Sequence, residues 1–225
     1  MPEPALRRRS AVVAPTVASS ILNPRPMNIH PEFHRFLNRH DKQVLLRQRG
    51  IVVWLCGLSG SGKSTIANAA ERVLYQQGRI TVILDGDNLR TGLNSNLGFS
   101  DEDRLENIRR IAETAKLFVS QGIITFVSAI TPRGELRDLV RGLLGEDLFE
   151  VYVEATYATC EKRDVKGLYA KAARGEVEHF TGQDGSFEPP QHPALVLNTE
   201  ESSVQDAAFE LLEAISERIS LNPPM

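Results

Sequence analysis

A glycine-rich stretch at residues 57–65, GLSGSGKST, has the residue types and spacing that most directly indicate chemistry. It matches the pattern GxxxxGK[ST], in which backbone N–H groups and a helix N-terminus surround the phosphates of a nucleotide. An apolar run precedes it and an amphipathic pattern begins at Lys63, as this pattern requires. We expect Lys63 to contact the outer phosphates and Ser64 to help coordinate Mg²⁺. The residues expected to bind a nucleoside triphosphate are Gly57, Leu58, Ser59, Gly60, Ser61, Gly62, Lys63, Ser64 and Thr65.

Two aspartates end the second apolar run, in the sequence ILDGDNLR. Ligands of open α/β sheets bind at the carboxyl ends of the strands, so Asp85 and Asp87 can organise Mg²⁺ and accept the proton of an attacking hydroxyl. We therefore expect Lys63, Asp85 and Asp87 to be catalytic, with Ser64 and Asp85 as the metal ligands. The alternative is that Asp87 and Asn88 only cap a turn.

Other features distinguish among the chemistries that use such a phosphate loop. The chain has no NKxD sequence, which argues against a GTPase. The third apolar run ends in Ser128 and Ala129 without the carboxylate that ATPase machines usually place there. A phosphate loop combined with Asp85 and Asp87 therefore favours phosphoryl transfer to an alcohol.

Residues further along the chain indicate which alcohol accepts the phosphate. Arg90, Arg104 and Asn107 combine guanidinium groups, which bind phosphate and sulfate well, with a polar amide. Phe99 and Phe180 can stack on the two faces of a planar ring, although either one taken alone is more often a core residue. An anion site beside an aromatic pair predicts a nucleotide-like acceptor.

The elements that position these residues follow from a regular alternation of apolar runs and amphipathic stretches. The apolar runs are short and rich in β-branched residues, as strands covered on both faces are. The predicted strands are 51–57, 80–86, 123–129, 149–155 and 194–199, and the predicted helices are 63–77, 101–120, 134–144, 157–163 and 203–219. This order predicts an α/β fold of the P-loop NTPase type, with a doubly wound parallel sheet of about five strands flanked by helices.

Residues 164–192 interrupt this alternation with a long segment rich in Gly, Pro and charged residues. A loop of this length in a compact domain is typical of a functional lid, and it has room for at most one short helix. The sequence of residues 28–48 predicts a helical segment that precedes the first strand. We expect a disordered N-terminal extension over 1–27 and one catalytic domain over 28–222.

Composition limits the partners and the compartment. The formal net charge is −3 over 225 residues, which gives no reason to expect nucleic acid or an anionic membrane as a partner. No apolar run approaches the roughly 18 residues of a membrane span. Cys56 and Cys160 are far apart and suit a reducing compartment, so we expect a cytoplasmic protein. The basic, acid-poor residues 1–26 leave an organelle transit peptide open, and natural translation from Met27 is a further alternative.

Several of these segments together resemble one family. The stretches GLSGSGKSTIA, LDGDNLRTGLNSNLGFSDEDRLENIRR, RDVKGLYAKAARGE and HFTGQD are similar to adenylylsulfate kinase, in the right order from about residue 28 to 220. The resemblance implies transfer of the γ-phosphate of ATP to the 3′-hydroxyl of adenosine 5′-phosphosulfate, a step of sulfate activation. It also implies a homodimer and a functional link to a separate ATP sulfurylase.

The resemblance implies a role for individual residues. Asp87 is the catalytic carboxylate, and Asp85 supports the metal or water. The adenine of the acceptor stacks between Phe99 and Phe180, and Lys166 begins the lid. The acceptor-binding residues that the resemblance implies are Asp87, Arg90, Phe99, Arg104, Asn107, Ile130, Lys166, Gly167, Leu168 and Phe180.

One segment departs from the family pattern. Members commonly have Ser-Pro-Tyr-Arg after the third strand, with a serine that is phosphorylated in some of them, whereas this chain has Thr131–Pro132–Arg133–Gly134. Thr131 is thus the candidate phospho-acceptor, but we expect Thr131 and Pro132 to open a helix as N-cap and first helical residue. The stripe formed by Arg133, Arg137 and Arg141 is expected to be a solvated helix face.

Two other functions are compatible with the phosphate loop. A kinase of another small alcohol, such as a sugar acid, can also have DGD after its second strand, but a compact sugar acid needs no pair of aromatic rings. A nucleotide-binding regulatory module without catalysis would have no need of Lys63, Ser64, Asp85 and Asp87 together.

Overall fold

The computed structural model describes residues 32–164, 167–176 and 187–221. The predicted N-terminal extension, Met27, Lys166, Phe180 and the greater part of residues 177–192 of the predicted lid lie outside the described residues. Within the described ranges, the helices all fall short of the length and apolar content needed to cross a membrane.

Five parallel strands form the central sheet, in the order β2-β3-β1-β4-β5. The strands are β1 (Ile51–Cys56), β2 (Thr81–Asp85), β3 (Ile124–Ser128), β4 (Leu148–Glu154) and β5 (Leu195–Asn198). All six residues of β1 are buried, as expected for a continuous apolar run at the centre of a sheet covered on both faces. The predicted parallel sheet of five strands is confirmed.

The helices begin and end close to the predicted residues. They are α1 (Arg39–Leu46), α2 (Lys63–Gln76), α3 (Gly86–Leu89), α4 (Asp101–Ser120), α5 (Gly134–Leu144), α6 (Tyr157–Arg163), α7 (Leu168–Ala173) and α8 (Val204–Ile219), with 3₁₀ turns at Phe33–Arg35 and Gly145–Asp147. Local capping explains several of the starts. The hydroxyl of Ser100 accepts from the N–H of Asp103, and that of Ser203 accepts from the N–H of Asp206.

Helices cover the sheet in two groups. Ile51, Val53 and Leu55 of β1 belong to one buried cluster with α2 and α8, which pack against each other. Successive residues of a strand face opposite ways, so Val52 and Trp54 face the other side, where α4 packs on β1, β3 and α5. The sheet is therefore enclosed between two helical layers, and its carboxyl edge is left to the connecting loops.

Two predictions about the segment after β3 are wrong. Thr131 and Pro132 do not open the helix, because α5 begins at Gly134 with Arg133 in the N-cap position. Thr131 is 1% exposed, and its hydroxyl accepts a hydrogen bond from Trp54 Nε1 at 2.9 Å instead of capping a helix. The expected solvated arginine stripe is also wrong at Arg137, which is 5% exposed because it turns inward toward this segment.

Candidate active site

The loop between β1 and α2 has the backbone geometry of a phosphate cradle. Gly57, Gly60 and Gly62 have φ angles of 146°, 79° and 105°, which turn successive N–H groups to the same side. A Cβ atom on Gly57 would lie 2.4 Å from the carbonyl oxygen of Val153, so only glycine fits there. Lys63, the first residue of α2, donates from Nζ to the Gly57 and Leu58 carbonyls at 2.9 and 2.6 Å, which holds its ammonium group at the loop.

Side chains from distant parts of the chain fix the outer side of this loop. The hydroxyl of Tyr169 in α7 donates to the Ser59 carbonyl at 2.7 Å, and burial raises the pKa of this phenol. The hydroxyl of Thr199, directly after β5, donates to the Ser61 carbonyl at 3.0 Å. The cradle is therefore positioned by the segments after β4 and β5 as well as by its own glycines.

The carboxyl ends of β2 and β3 bring Asp85, Ser128 and Ser64 together. Asp85 pairs with Ser128 in the parallel register of these strands. The hydroxyl of Ser64 donates to Asp85 Oδ2 at 2.6 Å and lies 2.9 Å from the hydroxyl of Ser128. This arrangement collects a carboxylate and two hydroxyl oxygens beside the first turn of α2.

Asp85 also determines where Asp87 lies. Its Oδ1 accepts from the N–H groups of Asp87 and Asn88 at 3.1 and 3.2 Å and so caps α3. The side chain that caps α3 is therefore that of Asp85. The carboxylate of Asp87 lines the cavity described below.

Phe99 and two arginines form a cluster in front of α4. The ring of Phe99 is 56% exposed, and the Cζ atoms of Arg90 and Arg104 lie 4.3 and 5.9 Å from its centroid. Arg90 donates to the carbonyls of Leu97 and Gly98, and Arg104 donates to that of Phe99. Burial lowers the pKa of both guanidinium groups, and for Arg104 the neighbouring charge of Arg90 adds to this effect.

A single cavity of about 530 Å³ connects these groups. The predicted site residues that line it are Ser59, Gly60, Gly62, Lys63, Ser64, Thr65, Asp85, Asp87, Phe99, Arg104, Ile130 and Leu168. Asn107 is 7% exposed and accepts from Asn94 Nδ2 at 3.0 Å, so its amide lies behind the cavity wall. The predicted residues that lie around the cavity without lining it are Gly57, Leu58, Ser61, Arg90, Asn107 and Gly167.

Residues at the opposite end of the cavity are absent from the sequence-based prediction. Arg163, the last residue of α6, donates to the Thr199 hydroxyl and carbonyl at 3.0 and 2.7 Å and to the Gly60 carbonyl at 3.3 Å. Glu200, which follows Thr199 in the chain but does not line the cavity, accepts from the N–H and hydroxyl of Thr156 at the start of α6, and the bond from that hydroxyl is the main cause that lowers the pKa of Glu200 to about 2. Further lining residues here are Asp164, Tyr169, Ser202, Ser203, Val204 and Ala207.

Comparison with known proteins decides the family. Residues 49–198 match the family model described as adenylylsulphate kinase. The chain belongs to the adenylylsulphate kinase family. It is 57% identical over 189 residues to the adenylyl-sulfate kinase of Phocaeicola vulgatus, covering 84% of this chain and 93% of that protein. It is 54% identical over 194 residues to the enzyme of Bacteroides fragilis, covering 86% and 96%.

A solved structure of the same family is similar along most of its length. The Mycobacterium tuberculosis APS kinase CysC, in complex with AMPPNP and APS, is 46% identical with a TM-score of 0.72 and covers 75% of this chain and 98% of that one. The resemblance inferred from the sequence motifs is therefore confirmed at the level of the family and the fold.

Gly134, which stands where the family pattern has Arg, is contacted by the side chain of Glu188. The carboxylate of Glu188 accepts from the Gly134 N–H at 2.7 Å, and a Cβ at Gly134 would lie 3.2 Å from that carboxylate oxygen. Glycine at this position thus lets a side chain from the C-terminal part of the predicted lid, residues 164–192, approach the first turn of α5.

Proposed function

We propose that this chain transfers the γ-phosphate of ATP to the 3′-hydroxyl of adenosine 5′-phosphosulfate, giving 3′-phosphoadenosine 5′-phosphosulfate and ADP. The observation that carries the proposal is the arrangement of one cavity in which the phosphate loop lies between two ends. One end has Asp87, Phe99 and Arg104, and the other has Arg163 and Thr199. Such a cavity can hold one nucleotide on each side of the transferred phosphate. Family membership indicates which two nucleotides bind there.

The chemistry follows from the residues around the reacting groups. The 3′-oxygen attacks the γ-phosphorus, and its proton passes to the Asp87 carboxylate as the new P–O bond forms. The bond between the γ-phosphorus and the bridging oxygen breaks, and its electron pair leaves with ADP. Lys63 and the N–H groups of residues 57–62 neutralise the charge that spreads over the phosphate oxygens. Positioning of the two nucleotides supplies much of the remaining rate.

The residues at the carboxyl edge of the sheet fit magnesium. Mg²⁺ prefers oxygen ligands and is commonly held by one or two carboxylates together with substrate phosphates and water. The Ser64 hydroxyl and Asp85 carboxylate, 2.6 Å apart, supply oxygens of this kind at the first turn of α2. Ser64 and Asp85 would hold Mg²⁺ there together with ATP, and the ion would supply positive charge that offsets the charge of the phosphates. The described residues contain no group of three or more His, Cys, Asp or Glu that could hold a metal, and a site shared with ATP requires none.

The acceptor end combines aromatic and cationic contacts. The exposed ring of Phe99 offers a face for the adenine of the acceptor, and Arg104 offers a fork for its phosphosulfate. Ile130 contributes an apolar wall between these groups and the phosphate loop. Arg90 and Asn107 do not line the cavity and support its wall instead. Arg90 donates to the carbonyls of the two residues before Phe99, and the Asn107 side chain accepts from Asn94.

The donor end fits the base of ATP. The guanidinium plane of Arg163 is fixed by Thr199 and Gly60, and a planar base can stack on such a group. Val204 and Ala207 of α8 add apolar surface to the same end of the cavity. We also propose the homodimer, the cytoplasmic location and the supply of acceptor by a separate ATP sulfurylase that the resemblance implies.

Product analysis tests this function. The purified full chain is incubated with Mg-ATP and adenosine 5′-phosphosulfate, and nucleotides are separated by ion-exchange chromatography, with ³¹P NMR to locate the new phosphate. We expect ADP and a 3′-phosphorylated product in equal amounts. A parallel reaction with gluconate addresses the sugar-acid alternative. Turnover of gluconate without turnover of the adenylylsulfate would overturn the proposal, and ATP consumption in the absence of any acceptor gives the hydrolysis background.

A further inference from the structure

The segment between β3 and α5, residues 129–133, forms part of the cavity wall and is called the Thr131 loop below. Ala129 and Ile130 line the cavity, and the N–H of Gly57 donates to the Ile130 carbonyl at 3.2 Å. The N–H of Ala129 donates to Leu55 O of β1. The loop thus lies between the start of the phosphate cradle and the acceptor end of the cavity.

The backbone of this loop is strained at its centre. Thr131 has a φ of 47°, in the left-handed region that β-branched residues rarely adopt. Such a conformation persists only where surrounding contacts hold it, and it is found mainly at functional sites. The side chain of Thr131 is buried, so the contacts that hold it come from the interior.

Two buried side chains hold Thr131. Trp54 Nε1 donates to its hydroxyl at 2.9 Å, and Arg137 Nη1 donates to its carbonyl at 3.0 Å. From the outer side, Glu188 donates its own N–H to the Pro132 carbonyl at 2.8 Å. The contact from Arg137 differs from the others because it places a charged group in the interior.

Glu150 on β4 is a counterion that Arg137 shares with Arg141. The Arg137 and Glu150 side chains are 6% and 8% exposed, and Arg137 Nε lies 3.8 Å from Glu150 Oε1, too far for a hydrogen bond. These two atoms have no hydrogen-bond partner within the described part of the chain. Glu150 Oε2 accepts from Nε and Nη2 of Arg141 at 3.0 and 2.6 Å.

A buried pair with this geometry is poorly suited to add stability, because desolvation of both charges needs close hydrogen bonding to offset it. The guanidinium of Arg137 is instead aligned with the carbonyl of the strained residue. The geometry therefore suits a group that fixes backbone position, with Glu150 supplying only the balancing charge.

We propose that Arg137, balanced by Glu150, is a positioning residue that holds Thr131 in its strained conformation and thereby keeps Ile130 at the acceptor end of the cavity. The inference rests on the proposed function. It concerns acceptor binding more than ATP binding, because the phosphate cradle has further support from Lys63, Tyr169 and Thr199. The centre of the Thr131 loop is held by the contacts of Trp54 and Arg137 with Thr131 and by that of Glu188 with Pro132.

Arg137→Lys tests the role while keeping the charge. A lysine cannot reproduce the fork, so we expect the KM for adenosine 5′-phosphosulfate to rise about tenfold, the effect of losing one hydrogen bond to a charged group. The KM for ATP should change by less than about twofold. This contrast matters because a general loss of structure would alter the KM for ATP and the KM for the acceptor together. The matched control is Arg39→Lys, since Arg39 likewise donates to a backbone carbonyl, that of Gly50, and pairs with Asp147, both outside the cavity lining.

A second variant, Thr131→Val, protects the test against a folding defect in the first. It leaves the charges in place and removes the acceptor of the indole N–H, and Trp54 is the only tryptophan of the chain. We expect its fluorescence emission to shift and the acceptor KM to rise while the ATP KM is kept. If wild type is active and both variants retain its acceptor KM, or if both KM values change together, the positioning role is refuted. Inactive wild type would instead refute the proposed function.

Discussion

Ser64 and Asp85, which are 21 positions apart in the chain, are joined by a hydrogen bond of 2.6 Å from the serine hydroxyl to Oδ2 of the aspartate. The other carboxylate oxygen of Asp85 accepts from the N–H groups of Asp87 and Asn88. A single carboxylate therefore links the phosphate cradle to the helix that carries the proposed catalytic base. Its two oxygens have separate tasks, and substitutions can separate them.

Asp85→Asn is predicted to remove the contribution of Asp85 to Mg²⁺ binding and to keep its cap on α3. The amide oxygen can still cap α3, whereas the NH₂ group cannot accept from Ser64 and carries no charge. We expect kcat to fall by about 100-fold or more, as when a preorganised electrostatic contact is lost. Steady-state rates measured over a range of Mg²⁺ concentrations check this, with the exposed Asp41→Asn in α1 as control. A kcat within threefold of wild type, on the order of the scatter for uninvolved residues, would argue against Asp85 as a ligand.

Asp87→Ala is predicted to abolish turnover while leaving ATP binding largely intact. Loss of a general base typically costs about 10²- to 10⁴-fold in rate, and Asp87 lies beyond the cradle that holds the phosphates. Isothermal titration with a non-hydrolysable ATP analogue gives the affinity, and product formation gives kcat. Asn88→Ala, the next residue on α3, serves as the control. Should the variant lose nucleotide affinity in proportion to its rate, Asp87 would be a binding residue.

The proximity of Ser64, Asp85 and Ser128 could be predicted, because it follows from general rules of parallel-sheet topology. Continuous apolar runs alternating with helical patterns fix a parallel sheet, and parallel strands end at the same edge. Polar residues at the ends of neighbouring strands must then be neighbours in space. The same rule could have identified Thr199, which follows β5 directly, as part of the site.

Other features depend on contacts that a local pattern does not contain. A Thr-Pro pair is a good helix start in isolation, but the indole of Trp54 takes the Thr131 hydroxyl and moves the start of α5 to Gly134. Arg137 has the spacing of a solvated stripe, yet it turns inward, where it donates to the Thr131 carbonyl and lies beside Glu150 on β4. In each case the partner is distant in sequence, so periodicity alone gives the wrong environment.

Phe99→Ala is predicted to weaken acceptor binding. Stacking of a base on an aromatic side chain contributes about 1–3 kcal/mol, so the KM for adenosine 5′-phosphosulfate should rise by about 5- to 150-fold with little change in the KM for ATP. Loss of the ring also removes the surface that Arg90 covers at 4.3 Å. Phe99→Leu separates the two effects, since leucine retains apolar bulk without a π face.

The control for Phe99 is Tyr75→Ala, which removes an aromatic ring that is 77% exposed on α2 and does not line the cavity. An unchanged acceptor KM in Phe99→Ala would mean that Phe99 does not stack on the acceptor. An equal rise in both variants would point to a loss of stability in place of a lost contact.

Glu106→Gln is predicted to destabilise the fold in a pH-dependent way. The Glu106 carboxylate accepts from Arg109 Nε at 2.7 Å and from Arg110 Nε at 2.8 Å, and Arg110 in turn donates to the Leu93 carbonyl ahead of Phe99. The bond from Arg109 is the largest favourable cause that lowers the pKa of Glu106 to about 2. Because the folded pKa lies below the unfolded one, the stabilisation is present above about pH 4 and is lost as the pH falls toward the folded pKa.

Urea denaturation of wild type and Glu106→Gln at pH 7, 5, 4 and 3 gives the free energies of unfolding. The ion pairs of Glu106 with Arg109 and Arg110 are partly exposed and screened by solvent. We therefore expect the free energies of unfolding of wild type and variant to differ by only about 0.5–1 kcal/mol at pH 7. The difference should be kept at pH 5 and shrink between pH 4 and 3, because the carboxyl of the unfolded chain then takes up a proton while that of the folded chain, with its pKa of about 2, stays ionised. Glu217→Gln, at an exposed position of α8, controls for loss of a negative charge alone. A difference that is constant from pH 7 to 3 would show that Glu106 acts through packing and not through its charge.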